Sequence, residues 1–316
     1  MRYHRISFLL VMVFAVSVTM LEAQTPNAAS SYYNQGNKKL GKGDLDGAIQ
    51  DFTEAIEISS HPGPLKLNDK NNGLAANSFA EDSTRITAID PLTGSAYTSR
   101  GLALYRKGDL DGAMADWERA IRISPGHAEA YVNRGAGKAA RGDISGALVD
   151  WNRAIQIDPR LAEAYGNRAA ARLAMGDREG GMADLDESIR LKPRDANYYV
   201  RRAFACLELK DFDRAIADFN RAIDLNPRLA LAYEGRGDAH LNKYELDASI
   251  AEFSRALEID PGLVNAWLNR GMALILQGKD AEAQRDFARV LNINPDLKDD
   301  LERRLKTARA LRASNR

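Results

Sequence analysis

Residues 131–159 read YVNRGAGKAARGDISGALVDWNRAIQIDP, and near copies stand before and after them at a fixed spacing of 34 residues. Tyr97, Tyr131, Tyr165, Tyr199, Tyr233 and Trp267 form one series with that spacing; Pro125, Pro159, Pro193, Pro227, Pro261 and Pro295 form another. A constant period of this length decides the architecture before any single residue does. Each copy is one supersecondary unit that buries its apolar face only against its neighbours.

With Ala128 as position 1 of a copy, position 8 is small (Gly101, Gly135, Ala169, Ala203, Gly237, Gly271), and so is position 20 (Ala113, Ala147, Gly181, Ala215, Ser249, Ala283). Position 24 is large: Trp117, Trp151, Leu185, Phe219, Phe253, Phe287. Small residues let two helices approach and large ones fill the gap between them. Apolar residues recur at helical spacing on both sides of pairs such as Gly142-Asp143, which predict a left-handed stop for one helix and an oxygen cap for the next. Proline at position 32 ends the second helix, because it lacks the N–H and restricts the residue before it.

An aromatic at 4, a small residue at 8, Ala at 20, an aromatic at 24, Ala at 27 and Pro at 32 closely resemble the tetratricopeptide repeat. An earlier copy, in register through Tyr32, Gly36, Ala48, Phe52 and Ala55, gives seven. The resemblance implies an all-α fold, a right-handed α-solenoid of helix-turn-helix repeats closed by a C-terminal capping helix. It also implies a concave face that binds another protein.

The expected organisation is a signal peptide over 1–23, a polar leader over 24–28, repeat one over 29–62, an irregular insertion over 63–93, repeats two to seven over 94–295, and a capping helix and tail over 296–316. Arg2 and Arg5 precede an apolar run at 6–21, and Ala23 offers a small residue for cleavage. The expected destination is the periplasm or the outside of the cell, with anchorage in the inner membrane through 6–21 as the alternative; membrane contact is expected only if the segment stays uncleaved. Lys plus Arg and Asp plus Glu each number 44, so nothing points to nucleic acid as a partner. The single cysteine, Cys206, excludes an internal disulfide.

The 63–93 insertion is rich in Asn, Asp and Gly and lacks helical periodicity. Repeat four reads as the thinnest copy: Gly180 and Gly181 stand in its second helix, and Leu185 and Ser188 replace the aromatic and the alanine. In the terminal helix, Leu297, Leu301, Leu305 and Ala308 share one face, while Arg309, Arg312 and Arg316 read as a solvated end.

Arginine at position 7 (Arg100, Arg134, Arg168, Arg202, Arg236, Arg270) accompanies an acid at position 23 (Asp116, Asp150, Asp184, Asp218, Glu252, Asp286) in every copy from the second on. Such pairing predicts a ladder of ion pairs that fixes repeat register. Repeat one has Gln35 with Asp51, so that acid must find another donor. The four histidines lack metal-ligand spacing, and no nucleophile motif or phosphate loop is present, so no catalytic residue, metal or cofactor is expected.

What the resemblance adds is a binding groove lined by positions 2, 5, 9, 12 and 13 of the first helices. Carried over residue by residue, it includes Tyr105, Val132, Leu173, Val200, Phe204, Leu207, Glu234, Asp238, Leu241, Asn242, Met272 and Ile275. The Lys, Arg and Asn set with which some family members hold a terminal carboxylate is missing there. The expected function is a non-catalytic protein-binding scaffold. The alternatives are a structural subunit of a secretion or outer-membrane assembly and, more remotely, an envelope enzyme with its site in the insertion.

Overall fold

The computed structural model describes residues 26–60 and 91–314. The signal segment and nearly all of the insertion lie outside them. Among the described residues all regular structure is helical: fifteen α-helices and one 3-10 turn. Two compact units divide the chain, Met1–Pro159 and Arg160–Arg316.

The first unit stacks three helix pairs: Pro26–Lys42 with Leu45–Ser60, Pro91–Lys107 with Leu110–Ile123, and Ala128–Ala140 with Ile144–Ile157. Two first helices reach back beyond the repeats they open, into the stretches read as leader and insertion. The opening helix begins at Pro26 rather than 29, and the third begins at Pro91, inside the stretch read as irregular. Proline suits a first helical turn, where its missing N–H has no partner to lose. Thr93 is buried there and its hydroxyl donates to Ser59 Oγ at 2.8 Å, which docks repeat two onto repeat one.

The second unit stacks four pairs, Ala162–Ala174 with Arg178–Leu191, Ala196–Glu208 with Phe212–Leu225, Ala230–Asn242 with Leu246–Ile259, and Val264–Gln277 with Asp280–Ile293. A 3-10 turn, Pro295–Leu297, then leads into Lys298–Ser314.

Each recurring position of the repeat has a visible cause. A β-carbon on Gly135 would stand 2.6 Å from the indole nitrogen of Trp151, so the small residue at 8 makes room for the ring at 24. The same indole donates to the Val132 carbonyl at 3.1 Å, and Trp117 does likewise to Thr98 at 3.2 Å. The aromatic at position 4 ties the connector behind it: Tyr131, Tyr199 and Tyr233 donate to the carbonyls of Pro125, Pro193 and Pro227, and Trp267 donates to that of Pro261.

The turn inside each pair also follows the local chemistry. Gly43, Gly108, Gly142, Gly176 and Gly278 hold φ between 83° and 94°, in the region where a side chain is costly. After the first four of these glycines the next residue is an aspartate that caps the following helix, as when Asp143 accepts from the Gly146 amide at 2.8 Å; after Gly278 stands Lys279, which gives no side-chain cap. Repeats five and six place Lys210 and Tyr244 at the left-handed position, with φ of 61° and 63°.

Repeat four departs in part from what its sequence suggests. Gly180 belongs to the first helical turn, where its amide is capped by Asp177 at 2.9 Å, so it does not weaken a helix interior. Gly181 is pressed by Leu173, whose Cγ would stand 2.6 Å from an added β-carbon. Ser188, fully buried, donates to the carbonyls of Ala162 and Asp184.

The arginine ladder is present and works in two directions. Within most repeats the pairing is two-pronged: Arg202 Nε and Nη2 reach the two Asp218 oxygens at 2.8 and 2.6 Å, and Arg270 reaches Asp286 at 2.8 and 2.7 Å, whereas Arg236 holds both Glu252 oxygens through Nη2 alone. The remaining nitrogen, Nη1, reaches back to position 25 of the preceding repeat: Arg100 to Thr53, Arg202 to Asp186, Arg236 to Asn220 and Arg270 to Ser254. Each guanidinium also lies over the aromatic at position 4, from 4.8 Å for Arg270 over Trp267 to 6.0 Å for Arg202 over Tyr199. In repeat one, Lys39 supplies the missing donor to Asp51 at 2.8 Å.

The terminal helix covers the last repeat. Leu301 and Ala308 are buried in a cluster with Leu268, Ile275, Phe287 and Val290, and Leu305 packs against it. Arg312, read as part of a solvated tail, is instead a clasp: its Nη1 donates to the Ile275 carbonyl at 2.9 Å and to Asp280 at 2.6 Å.

Removing one member of a buried pair leaves the other charge stranded. Arg202→Ala is therefore expected to lower unfolding free energy by about 3 kcal/mol, and adding Asp218→Asn should recover part of it. Lys210→Gly should raise stability by about 0.5–1 kcal/mol, since it relieves the left-handed strain while loosening the unfolded chain. Urea denaturation of the two sets checks both.

Candidate functional site

The first helices of the second unit adjoin one another in sequence order. Arg201 donates to Asn167 at 3.3 Å between repeats four and five, and the Asn269 amide donates to Asp238 at 2.7 Å between repeats six and seven. This is the face onto which the groove residues were placed.

Burial sorts those residues. Tyr105 and Asn242 are exposed, and Asp238, Leu173, Phe204, Leu207, Leu241 and Met272 are half-buried. Val132, Val200 and Glu234 are each 6% exposed, and Ile275 is fully buried. Ile275 is covered by the capping helix and offers a partner no surface, and Val132 and Val200 are apolar core side chains. Phe204 meets Phe219 edge-on at 5.3 Å and belongs with Leu207 to the core of repeat five. The apolar groove residues of the second unit are thus largely consumed by the array itself. What remains open is polar, with Asn197, Asn242 and Asn265 exposed beside Leu231, an apolar residue 44% exposed.

Glu234 and Asp238 stand one turn apart on the first helix of repeat six. Position 5, where Glu234 sits, is buried in all six later copies, and the others fill it with Thr98, Val132, Gly166, Val200 and Leu268. An acid in this column loses water without gaining a cation: burial first, then Asp238 and Asp260, push Glu234 up to about 7. Burial likewise pushes Asp238 up to about 6, against the pull of the Asn269 hydrogen bond.

Other reactive side chains are accounted for by structure. Cys206 is buried and its thiol is pushed up to about 11, chiefly by desolvation, which makes it a poor nucleophile. His240 contacts Glu245 at 2.6 Å, and His127 lies 3.4 Å from Glu129. Among the described residues no group of three or more His, Cys, Asp or Glu could hold a metal ion. No described helix is long and apolar enough to cross a membrane.

Sequence models described as tetratricopeptide or TPR repeat match residues 29–62, 94–136, 138–176, 167–230, 207–264 and 264–297. The chain belongs to the tetratricopeptide-repeat family. A tetratricopeptide repeat protein from Parabacteroides merdae superposes with a TM-score of 0.57 at 18% identity, covering 89% of this chain and 99% of its own. The Pseudomonas aeruginosa protein pilF gives 0.58 at 18% identity, over 64% of this chain and 92% of its own. Both likenesses concern the fold. Among curated proteins, heat shock protein STI1 of Saccharomyces cerevisiae is 29% identical over 99 residues, 30% of this chain and 17% of that protein. This tetratricopeptide chain therefore spans a small part of that relative's length.

The raised acids make stability depend on pH in a defined direction. Their ordinary values are 4.5 and 3.8, so the protonated pair stabilises the fold fully below about pH 4, and that contribution is lost as pH rises through about 6 and 7. The unfolding temperature should therefore fall between pH 5 and about pH 7.5. Glu234→Gln with Asp238→Asn should flatten that fall, as read by circular dichroism melts across the range.

Proposed function

We propose that this tetratricopeptide array is a non-catalytic scaffold of the cell envelope or extracellular space that binds a polypeptide segment along its first helices. The family supplies the general role of protein interaction. The observation that carries the reading is the first-helix face of the second unit, where neighbouring repeats join through Arg201–Asn167 and Asn269–Asp238 and leave Leu231, Asn197, Asn242 and Asn265 open. Amide side chains of this kind pair with the backbone of an extended segment, and an exposed leucine gives it an apolar anchor.

Export rests on the sequence pattern of Arg2, Arg5 and the apolar run at 6–21. The non-catalytic reading rests on what the polar groups do: the buried acids of the ladder neutralise arginine, and the aspartates at the turns cap helices.

A photo-crosslinking residue at Leu231 should capture a discrete partner in intact cells, whereas one at Val149, 65% exposed on a second helix, should capture none. Equal capture from both positions, or capture from Val149 alone, would show that the first-helix face is not the binding surface.

A further inference from the structure

Of the seven acids at position 23 of the repeats six are buried and Glu252 is half-buried, and each has a basic partner: Asp51 with Lys39, then Asp116, Asp150, Asp184, Asp218, Glu252 and Asp286 with arginine. Glu234 is also buried, 6% exposed, yet neither a hydrogen bond nor an ion pair reaches it among the described residues. Its carboxylate oxygens are also absent from the sealed, unsatisfied atoms of the interior, so they keep an opening to solvent. One turn further along the same helix, the half-buried Asp238 accepts from the Asn269 amide. The array thus keeps one buried and one half-buried carboxylate a helical turn apart, with no ion pair to either among the described residues.

We propose that Glu234 and Asp238 form a socket for a lysine or arginine side chain of the bound polypeptide. This rests on the first-helix face being the binding surface and adds the chemistry of one contact. A buried, unpaired carboxylate is costly, and an incoming cation removes that cost only when seated, so the deficit becomes binding energy and discrimination. Where position 5 has only to pack, the other copies from the second on fill it with a threonine, two valines, a glycine and a leucine. Two acids and one amide suit the multiple N–H donors of an ammonium or guanidinium. Leu231, on the preceding turn, and the exposed Asn265 stand on the same face to hold the chain that carries the cation.

The test selects a random-peptide display library on the full chain and, in parallel, on Glu234→Gln/Asp238→Asn. Wild-type protein should recover peptides sharing a lysine or arginine at one place. A synthetic peptide of that sequence should bind the double variant at least about 30-fold more weakly, as expected for loss of one side of a desolvated charge pair. Glu234→Leu, which restores the apolar column, should melt higher than wild type and lose the same peptide, so weakened binding cannot be ascribed to unfolding. Peptides without a shared basic residue, or equal binding to wild type and variants, would overturn the socket while leaving the groove standing. Recovery of no peptide from either selection would overturn the groove and the socket together.

Discussion

A guanidinium offers five N–H donors in one plane, and this fold needs them pointed in two directions. Nε and Nη2 grip the acid of the same repeat, and Nη1 reaches one repeat back, as in Arg202 with Asp218 and Asp186. A lysine, with one compact ammonium, cannot make both contacts in fixed geometry. Repeat one shows the difference: with Gln35 at position 7, Lys39 neutralises Asp51 from the next turn of the helix. The aromatic at position 4 completes the joint, since it lies against the arginine while its polar tip holds the proline connector.

The repeat architecture was legible because a 34-residue period repeats the same steric problem many times. Gly135 against Trp151 is an instance that any one copy would leave ambiguous and six copies make plain. Boundaries were less legible where the repeat meets something else. Pro91 was read as part of an irregular stretch because 63–93 is rich in Asn, Asp and Gly and lacks helical periodicity, whereas here Pro91 starts a helix and Thr93 is pulled inside by Ser59. Arg312 looked like a frayed end because the sequence does not disclose that the Ile275 carbonyl is within its reach.

The candidate site was legible as a face and not as a surface. The resemblance assigns Val132, Val200 and Ile275 to the same face as Asn242, but it does not say which of them the adjoining helix will cover. Glu234 was placed among the groove residues only because the resemblance assigns position 5 to the groove. Its singularity was nonetheless present in the sequence: aligning position 5 of the copies sets a carboxylate in a row of small and apolar residues. Departures from an internal consensus mark places where the array does something besides hold itself together.

Because Arg202, Arg236 and Arg270 each look back by one module and no further, both halves of every such bond lie within a single 34-residue step of the chain. Duplicating or excising one step inside the second unit would copy or delete donor and acceptor together. The gene can therefore lengthen or shorten the array by recombination without first inventing a new joint, and the clasp of Arg312 on the final module leaves the C-terminal seal independent of how many modules precede it.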